Sequence, residues 1–546
     1  MTKRFIISLT MFLSLFNTSA QQSMADYIGE WTGKPKIDDA LYLDITIEKL
    51  PNENAIFTLS NHKNVLTKSF KFENNVTITL DDNFGFNGMV NKNQSEIIGF
   101  IRLNKDLYPT VLYKVGNKFE GKWNLSIIHY LQPQSLKLTI REGGGEDDEY
   151  KAYPILGSFW CADFKKKNDS ISFTDYKTGL EFEGVLNRSE IILNISIGDI
   201  FIAQTSFKKN IKQHKFVSSV VDENYEFDDG WKLSKQLLSL PKLEHAIHRD
   251  ILEGIESVLI AKNSEIIYEK YYAGFNARIP HDMRSASKSI SSAIIGIAID
   301  DGIIENVEQE IYKYLPQEYQ YTKDYQKSRI RVKDLLTMSS GINVSEGQYQ
   351  ESDNWLKTVL EAPLKHEPNS HTTYKSADPF LSGVYLSKRL DMPLAIYMHK
   401  EFFMPLGITN YILNTDDTNV IPYFGGGLYL TPRDMLKFGQ LYLNKGLWND
   451  KRIISKKWVN DSFKKHTFLE DVSDKNEYGY FWWHNTYTIN GKRLESVEAR
   501  GAGGQYIFII PDLNAVIVIT SGNYRNGKTR QPEKIVKEYL LSAILN

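Results

Sequence analysis

The chain has 546 residues, 42% of them hydrophobic and 24% charged, with a formal net charge of −2. Its length exceeds what one compact core accommodates and argues for roughly two or three domains. The near-zero charge excludes a global basic field for nucleic acid or acidic lipid, and 31 tyrosines among 12% aromatics point to extensive β structure.

Residues 1–20 read as a secretory signal peptide. Lys3 and Arg4 form the charged start, residues 5–16 are mostly apolar, and Thr18-Ser19-Ala20 offers small residues for cleavage before Gln21. The apolar run is too short to span a bilayer, and no later stretch is long and apolar enough. The expectation is export, to a periplasm or beyond the cell, without a lipid anchor, because no cysteine lies near the cleavage site. The single cysteine, Cys161, has no partner for an intramolecular disulfide. Beside Trp160 it reads as a small buried hydrophobe.

Residues 27–210 read as strands and turns. Leu41, Leu43, Ile45 and Ile47 alternate with Tyr42, Asp44 and Thr46, and Val76, Ile78 and Leu80 alternate with Thr77 and Thr79. The region is duplicated. Gly29-Glu30-Trp31 matches Gly121-Lys122-Trp123, Leu43-Asp44-Ile45-Thr46-Ile47 matches Leu136-Lys137-Leu138-Thr139-Ile140, and Phe86-Asn87-Gly88 matches Phe182-Glu183-Gly184. A Ser-Glu-Ile-Ile phrase follows at Ser95 and at Ser189. Ordered matches at nearly one spacing divide the region into an all-β repeat over 27–118 and a second over 119–210. Small meanders or barrels fit this pattern. The module either binds a cell-envelope ligand or packs as a scaffold on the second half. Trp31 and Trp123 either stack on a sugar or fill the core. Gly143-Gly144-Gly145 and the four acids after it read as an exposed loop.

A change of composition at Asp228-Asp229-Gly230-Trp231 opens the second half, 228–546. Residues 237–252 show broken helical spacing. Residues 257–261 and 265–271 read as a hairpin around Lys262-Asn263-Ser264. Ser285-Ala286-Ser287-Lys288 then begins an apolar run at helical spacing, Ile290, Ala293, Ile294, Ile297 and Ala298, closed by Gly302. Ser-x-x-Lys occurs five times, at Ser60, Ser206, Ser239, Ser285 and Ser462, and the Ser285 copy is the one that opens a long buried-type helix. Residues three apart share a helix face. A serine hydroxyl can attack a carbonyl there while a desolvated lysine takes its proton, and the helix N-terminus favours the developing negative charge.

Helices follow near 333–341, 378–389 and 394–403. Strands return at 478–484, 505–510 and 515–520, and a helix closes the chain at 533–545. The order of strands, helices, strands and helix argues an α+β architecture whose sheet is built from both ends of the segment. His281, His371 and His484 lack a second ligand at metal spacing, so no metal is expected. Gly425-Gly426-Gly427 lacks the Lys-Ser/Thr of a phosphate loop. Asp378 either stabilises a substrate amine or serves as a helix-start carboxylate.

Taken together, Ser285 to Lys288, Tyr374-Lys375-Ser376, Pro405-Leu406-Gly407, Gly425 to Leu428 with Thr431-Pro432-Arg433-Asp434, and Tyr478-Gly479-Tyr480 with Trp482-Trp483 resemble the serine β-lactamase and penicillin-binding protein superfamily. The likeness is to its class C-type esterases and 6-aminohexanoate-dimer hydrolases in particular, and covers 228–546. It implies a β-lactamase/DD-peptidase-like sheet with a helical subdomain, here preceded by the duplicated all-β module. It further implies Ser285 as nucleophile, Lys288 as its base and Tyr374 as proton relay to the leaving group, with no cofactor. The backbone N–H groups of Ser285 and Ala502 become the oxyanion-hole candidates. Ser376, Arg500, Gly501, Gly503 and Gly504 become the substrate-binding candidates. The third motif departs from the family: Ala499-Arg500-Gly501 stands where Lys-Thr-Gly or His-Thr-Gly is common. Arg500 either replaces the missing cation as a bidentate donor or lies on the strand's outer face. The implied function is an exported serine hydrolase of ester or amide bonds in a small-molecule or peptide substrate. The alternatives are a non-catalytic sensor of peptidoglycan or peptides, and a true β-lactamase or D-Ala-D-Ala peptidase.

Overall fold

The computed structural model describes residues 24–546 except 34–41, 61–64, 82–83, 125–135, 146–147, 156–160, 176–179, 188, 198–199, 210–228, 274, 470–475, 525 and 546. The signal-peptide region, Trp160 and Asp228 lie outside the described residues. Among those described, no helix is long and apolar enough to cross a membrane.

Residues beyond 229 form a nine-stranded sheet with helices on both faces. Its order is Lys232–Leu233, Glu265–Tyr271, Ile255–Lys262, Ala515–Ser521, Gln505–Ile510, Lys492–Gly501, Trp482–Ile489, Glu477–Gly479 and Thr467–Phe468. The hairpin that opens the segment thus pairs with the strand that nearly closes it, Val258 opposite Ile519. Period-two alternation sorts the side chains between two cores. Leu259, Ala261, Ile507, Ile509, Val516 and Val518 face the large helical layer. Val258, Ile260, Phe508, Ile517 and Ile519 face the Pro241–His248 helix and the C-terminal helical segment. The helical layer is built on Ser287–Asp300, Ala377–Ser387 and Pro432–Leu443. The strand at Lys492–Gly501 gives no clear sequence signal: Lys492, Arg493 and Glu495 leave its first half polar and exposed, and burial is nearly continuous only from Ser496 on.

Among the described residues, 16 strands from Gly29–Gly33 to Ile200–Lys209 form two barrel-like sheets. The first runs in the order Val65–Lys71, Asn54–Ser60, Tyr42–Lys49, Lys118–Asn124, Asp106–Val115, Glu96–Leu103, Phe84–Val90, Asn75–Thr79. The second runs Asp148–Ile155, Leu136–Gly145, Gly29–Gly33, Ile200–Lys209, Glu190–Ile197, Glu181–Asn187, Ser170–Asp175, Cys161–Lys167. The two share one circular order, with the open seam moved by one strand. The repeats exchange their leading strands. Gly29–Gly33, which opens the first repeat, pairs with Leu136–Gly145 and Ile200–Lys209. Lys118–Asn124, which opens the second, pairs with Tyr42–Lys49 and Asp106–Val115 of the first. Trp31 and Trp123 are buried at 2% and 0% exposure, so both fill cores and neither offers a face to a sugar. Gly143 to Gly145 belong to the strand Leu136–Gly145 rather than to a loop, and Gly145 pairs with Asp148.

The first barrel docks on the other half through backbone pairing. Leu107 lies opposite Leu413 and Asp106 opposite Asn414. This adds Tyr411–Asn414, Leu428–Leu430 and His281–Asp282 to that barrel's sheet. Thr415 donates its N–H and its hydroxyl to the Lys105 carbonyl at 2.8 and 2.9 Å. The Lys105 ammonium rests 4.5 Å over the ring of Trp355.

Candidate active site

The strand His281–Asp282 runs into a tight turn and then into the Ser287–Asp300 helix. Arg284, the residue before Ser285, has φ 50°, in the left-handed region. A side chain there is strained by about 1 kcal/mol. The turn is held by Arg284 N–H donating to Asp282 at 3.0 Å, Met283 N–H to the Leu428 carbonyl at 3.0 Å, and Ala286 N–H to the Met283 carbonyl at 3.1 Å. Ser285 therefore sits on the 3-10 turn Arg284–Ala286, one step ahead of the α-helix. The helix buries Ile290, Ala293, Ile294, Ile297 and Ala298, as their spacing predicts, and also buries Ser289, Ser291 and Ser292. Ser289 Oγ donates to the Phe481 carbonyl at 2.7 Å, which pays part of the desolvation of that polar face.

Lys288 projects from the first turn and is 1% exposed. Its Nζ donates to Ser285 Oγ at 2.8 Å, to Ser376 Oγ at 3.1 Å, and to the Gly425 carbonyl. Burial pushes its pKa down to about 8. An amine with that pKa is neutral in about one molecule in ten at pH 7 and mostly neutral above 8. Such an amine can accept the serine proton. Tyr374 hydrogen-bonds Ser285, and burial raises its phenol well above the usual tyrosine range. It is a neutral proton donor at working pH. Its ring centre is 5.5 Å from Lys288 Nζ, and the ring is braced by Trp483 at 5.1 Å and Tyr478 at 6.1 Å. Ser285, Lys288, Tyr374 and Ser376 thus meet at one point, and Ser376 there accepts from the lysine.

The glycine-bordered strand end lies beside them. Gly501 backs onto the Ser285 turn so closely that a β-carbon would overlap the Met283 carbonyl and crowd Ala286 N. Gly503 and Gly504 take φ of 85° and 91°, which favours glycine. The Gly503 carbonyl accepts from Asn523 N–H at 2.9 Å and from Ser521 Oγ at 2.5 Å, and a β-carbon on Gly504 would collide with that same hydroxyl. These two glycines shape the turn, and Ala502 sits exposed at its tip. Arg500 is already paired. Its Nε donates to Glu498 at 2.7 Å, its Nη1 lies 3.8 Å from Glu533, and the guanidinium stands 5.0 Å over Trp483. Ala499 is fully buried. Asp378 is likewise interior: it accepts from Ser340 Oγ at 2.6 Å, lies 3.7 Å from Lys375 Nζ, and is raised to about 6 by burial.

Sequence reasoning missed the Gly425 carbonyl that receives Lys288, and the buried pair Tyr349 and Tyr423 behind Ser376. Gly425 was visible as a triple glycine. Its use is steric, since a β-carbon there would strike the Tyr423 ring. Nothing in the pattern distinguishes Tyr349 and Tyr423 from the other tyrosines.

A serine and a buried amine at the head of a helix, with a phenol across from them and an antiparallel sheet alongside, define a serine-hydrolase fold. The comparisons agree: the Beta-lactamase family model matches residues 254–540, over half of the chain, and the protein belongs to that family. The chain is 23% identical over 313 residues to the 6-aminohexanoate-dimer hydrolase of Paenarthrobacter ureafaciens, covering 51% of this chain and 74% of that protein. A solved family VIII carboxylesterase aligns at 16% identity and a TM-score of 0.43, covering 53% of this chain and 93% of its own. A penicillin-binding protein of Bacillus halodurans aligns at 17% identity and a TM-score of 0.39, covering 51% and 94%.

Proposed function

We propose that the protein cleaves ester or amide bonds through an acyl-enzyme on Ser285. The observation that carries this reading is the Lys288 amine, buried, lowered to about 8, and donating to Ser285 Oγ at 2.8 Å. Neutral Lys288 takes the hydroxyl proton as Oγ attacks the carbonyl carbon. Tyr374, a neutral phenol bonded to Ser285, protonates the departing alcohol or amine and is reprotonated from Lys288. Water then attacks the acyl carbon by the reverse relay, and the acid leaves with Oγ protonated again. The amides of Ser285 and Ala502 would hold the oxyanion.

The reading is of an esterase or amidase of small-molecule or peptide substrates, exported after loss of residues 1–20. Ala499 in place of a family cation, with Arg500 bound by Glu498 and Glu533, argues against strong binding of a β-lactam carboxylate. The relative from Paenarthrobacter ureafaciens is named for hydrolysis of an amide dimer, which makes linear amides a substrate class to screen. Ser285→Ala is expected to lower turnover of p-nitrophenyl acetate by about 10⁴-fold or more. A fluorophosphonate should add one mass increment to the wild type and none to the variant. Undiminished turnover, or an adduct elsewhere, would exclude the assignment and favour a non-catalytic binder.

A further inference from the structure

The sheet of the first barrel runs on past the barrel. It passes from Asp106–Val115 to Tyr411–Asn414, then to Leu428–Leu430, and finishes on His281–Asp282. His281 lies opposite Leu430 and Asp282 opposite Tyr429, and Met283 N–H donates to the Leu428 carbonyl at 3.0 Å. Ser285 stands two residues further on. The serine's turn thus hangs from the last rung of a ladder that begins in the barrel.

The carbonyl that receives Lys288 hangs from the same ladder. Residues 415–427 connect its two middle strands, and backbone bonds close that loop. Asn414 N–H donates to the Gly427 carbonyl at 2.7 Å, Tyr423 N–H to the Asn414 carbonyl at 2.8 Å, and Gly427 N–H to the Tyr423 carbonyl at 2.9 Å. Gly425, whose carbonyl accepts from Lys288 Nζ, lies inside the closure. The loop has no slack: a β-carbon on Gly427 would overlap the Asn414 carbonyl, and one on Gly425 would overlap the Tyr423 ring.

Asn414 is also where the loop meets the barrel. Its Nδ2 donates to Asp106 Oδ1 at 2.9 Å, and the Thr415 hydroxyl donates to the Lys105 carbonyl at 2.9 Å, beside the Thr415 N–H. Asp106 and Thr415 are 1% and 0% exposed. Water cannot replace a bond lost in such a seam. The Lys105 ammonium reaches the loop from its aromatic side, over Trp355, which stands edge-on to Tyr423 at 5.5 Å. Strand pairing also fixes register to the residue, since a slip of one would turn every side chain to the other face.

We propose that the first barrel is a positioning element of the active site, acting through the seam of Lys105 and Asp106 with Asn414 and Thr415. The seam sets where Ser285 and the Gly425 carbonyl stand relative to Lys288. This rests on the acyl-enzyme reading above and gives the first β repeat a part in it. Asn414 and Thr415 are positioning residues, acting through the strand and the loop they anchor.

The test compares turnover of p-nitrophenyl acetate and the rate of fluorophosphonate labelling of Ser285 in wild type and in the full chain carrying Asn414→Ala with Thr415→Val, with melting curves beside them. The pair removes both side-chain bonds of the seam and leaves Ser285, Lys288 and Tyr374 in place. Misplacement of reacting groups by 1 Å costs about 10²-fold, so kcat and labelling rate are expected to fall by at least about tenfold, with KM within about twofold. Tyr113→Ala is the control: Tyr113 is 60% exposed, lies six residues along the strand from Leu107, and should keep wild-type kcat when replaced. A smaller fall in a folded double variant, a change confined to KM, or an equal loss in the control would overturn the proposal. Should the double variant fail to fold, Thr415→Val alone decides, since it is isosteric and keeps the N–H bond to Lys105: kcat should fall several-fold, and wild-type kcat would overturn the proposal. An active Ser285→Ala enzyme would overturn the underlying chemistry, whereas an inactive one beside an unimpaired double variant would overturn the positioning role alone.

Discussion

Lys288 carries a stability penalty that the proposed chemistry requires. Its folded pKa of about 8 lies below the ordinary 10.5, so the unfolded chain binds the extra proton between those values. Native stability contributed by this group is therefore lowest below pH 8 and rises as pH climbs towards 10.5, by on the order of 3 kcal/mol. Lys288→Met has no such titration. Denaturant melts are expected to show wild type gaining on the Met variant across that window, with the variant inactive throughout. Asp378 gives the opposite sign. Burial raises it to about 6 from 3.8, so the native state binds the extra proton between those values and stability falls as pH rises through them. Asp378→Asn keeps an acceptor for Ser340 and is expected to gain stability over wild type at pH 7.5 relative to pH 4. A difference that does not change with pH would refute the assignment of either shift.

At the scale of elements, the Ser287–Asp300 helix was legible because five apolar residues fell at helical spacing and Gly302, with φ 74°, closed it. The place of Ser285 and Lys288 at the head of that helix was legible for the same reason, and it sets them apart from four other copies of the same spelling. Tyr374 needed the family resemblance. What could not be read was anything fixed by contact between distant segments. The Gly425 carbonyl, the Tyr349–Tyr423 pair and the Glu498–Arg500–Glu533 cluster each join residues whose local patterns are silent. The glycine edge makes a prediction at this level. Gly501→Ala would press a methyl into the Met283 carbonyl and push the strand and the Ser285 turn apart. A displacement near 1 Å costs about 10²-fold in rate, so kcat/KM should fall by that order while circular dichroism stays unchanged. Wild-type activity in a folded Ala variant would show that the close approach is not needed.

For the whole molecule, the β module is a wall of the other half as well as a neighbour. Its hairpin at Lys105 lays an ammonium on Trp355, and Trp355 braces Tyr349 and Tyr423. The duplication was legible in the sequence, and the exchange of leading strands was not, since pairing partners leave no mark on a strand's own alternation. Cutting the chain at the boundary between the repeats should therefore do more harm than its position suggests. A protein beginning at residue 119 lacks Gly29–Gly33 from one sheet and leaves residues 119–124 without their partners in the other. Exposed edges recruit other chains, so light scattering is expected to show more association for the truncated protein than for the full-length one. A monodisperse monomer would contradict the exchange.

The crossing of those two strands also sets a timetable on the ribosome. Gly33 is made early, yet one of its partners is Phe207, and at roughly 5–20 residues per second the wait is on the order of ten seconds. The first barrel has all its strands once Lys118–Asn124 has emerged, whereas the second holds its earliest strand waiting for Ile200–Lys209. A duplication knotted in this way cannot afterwards shed one copy by simple deletion, because each has lent the other the staple that shuts it.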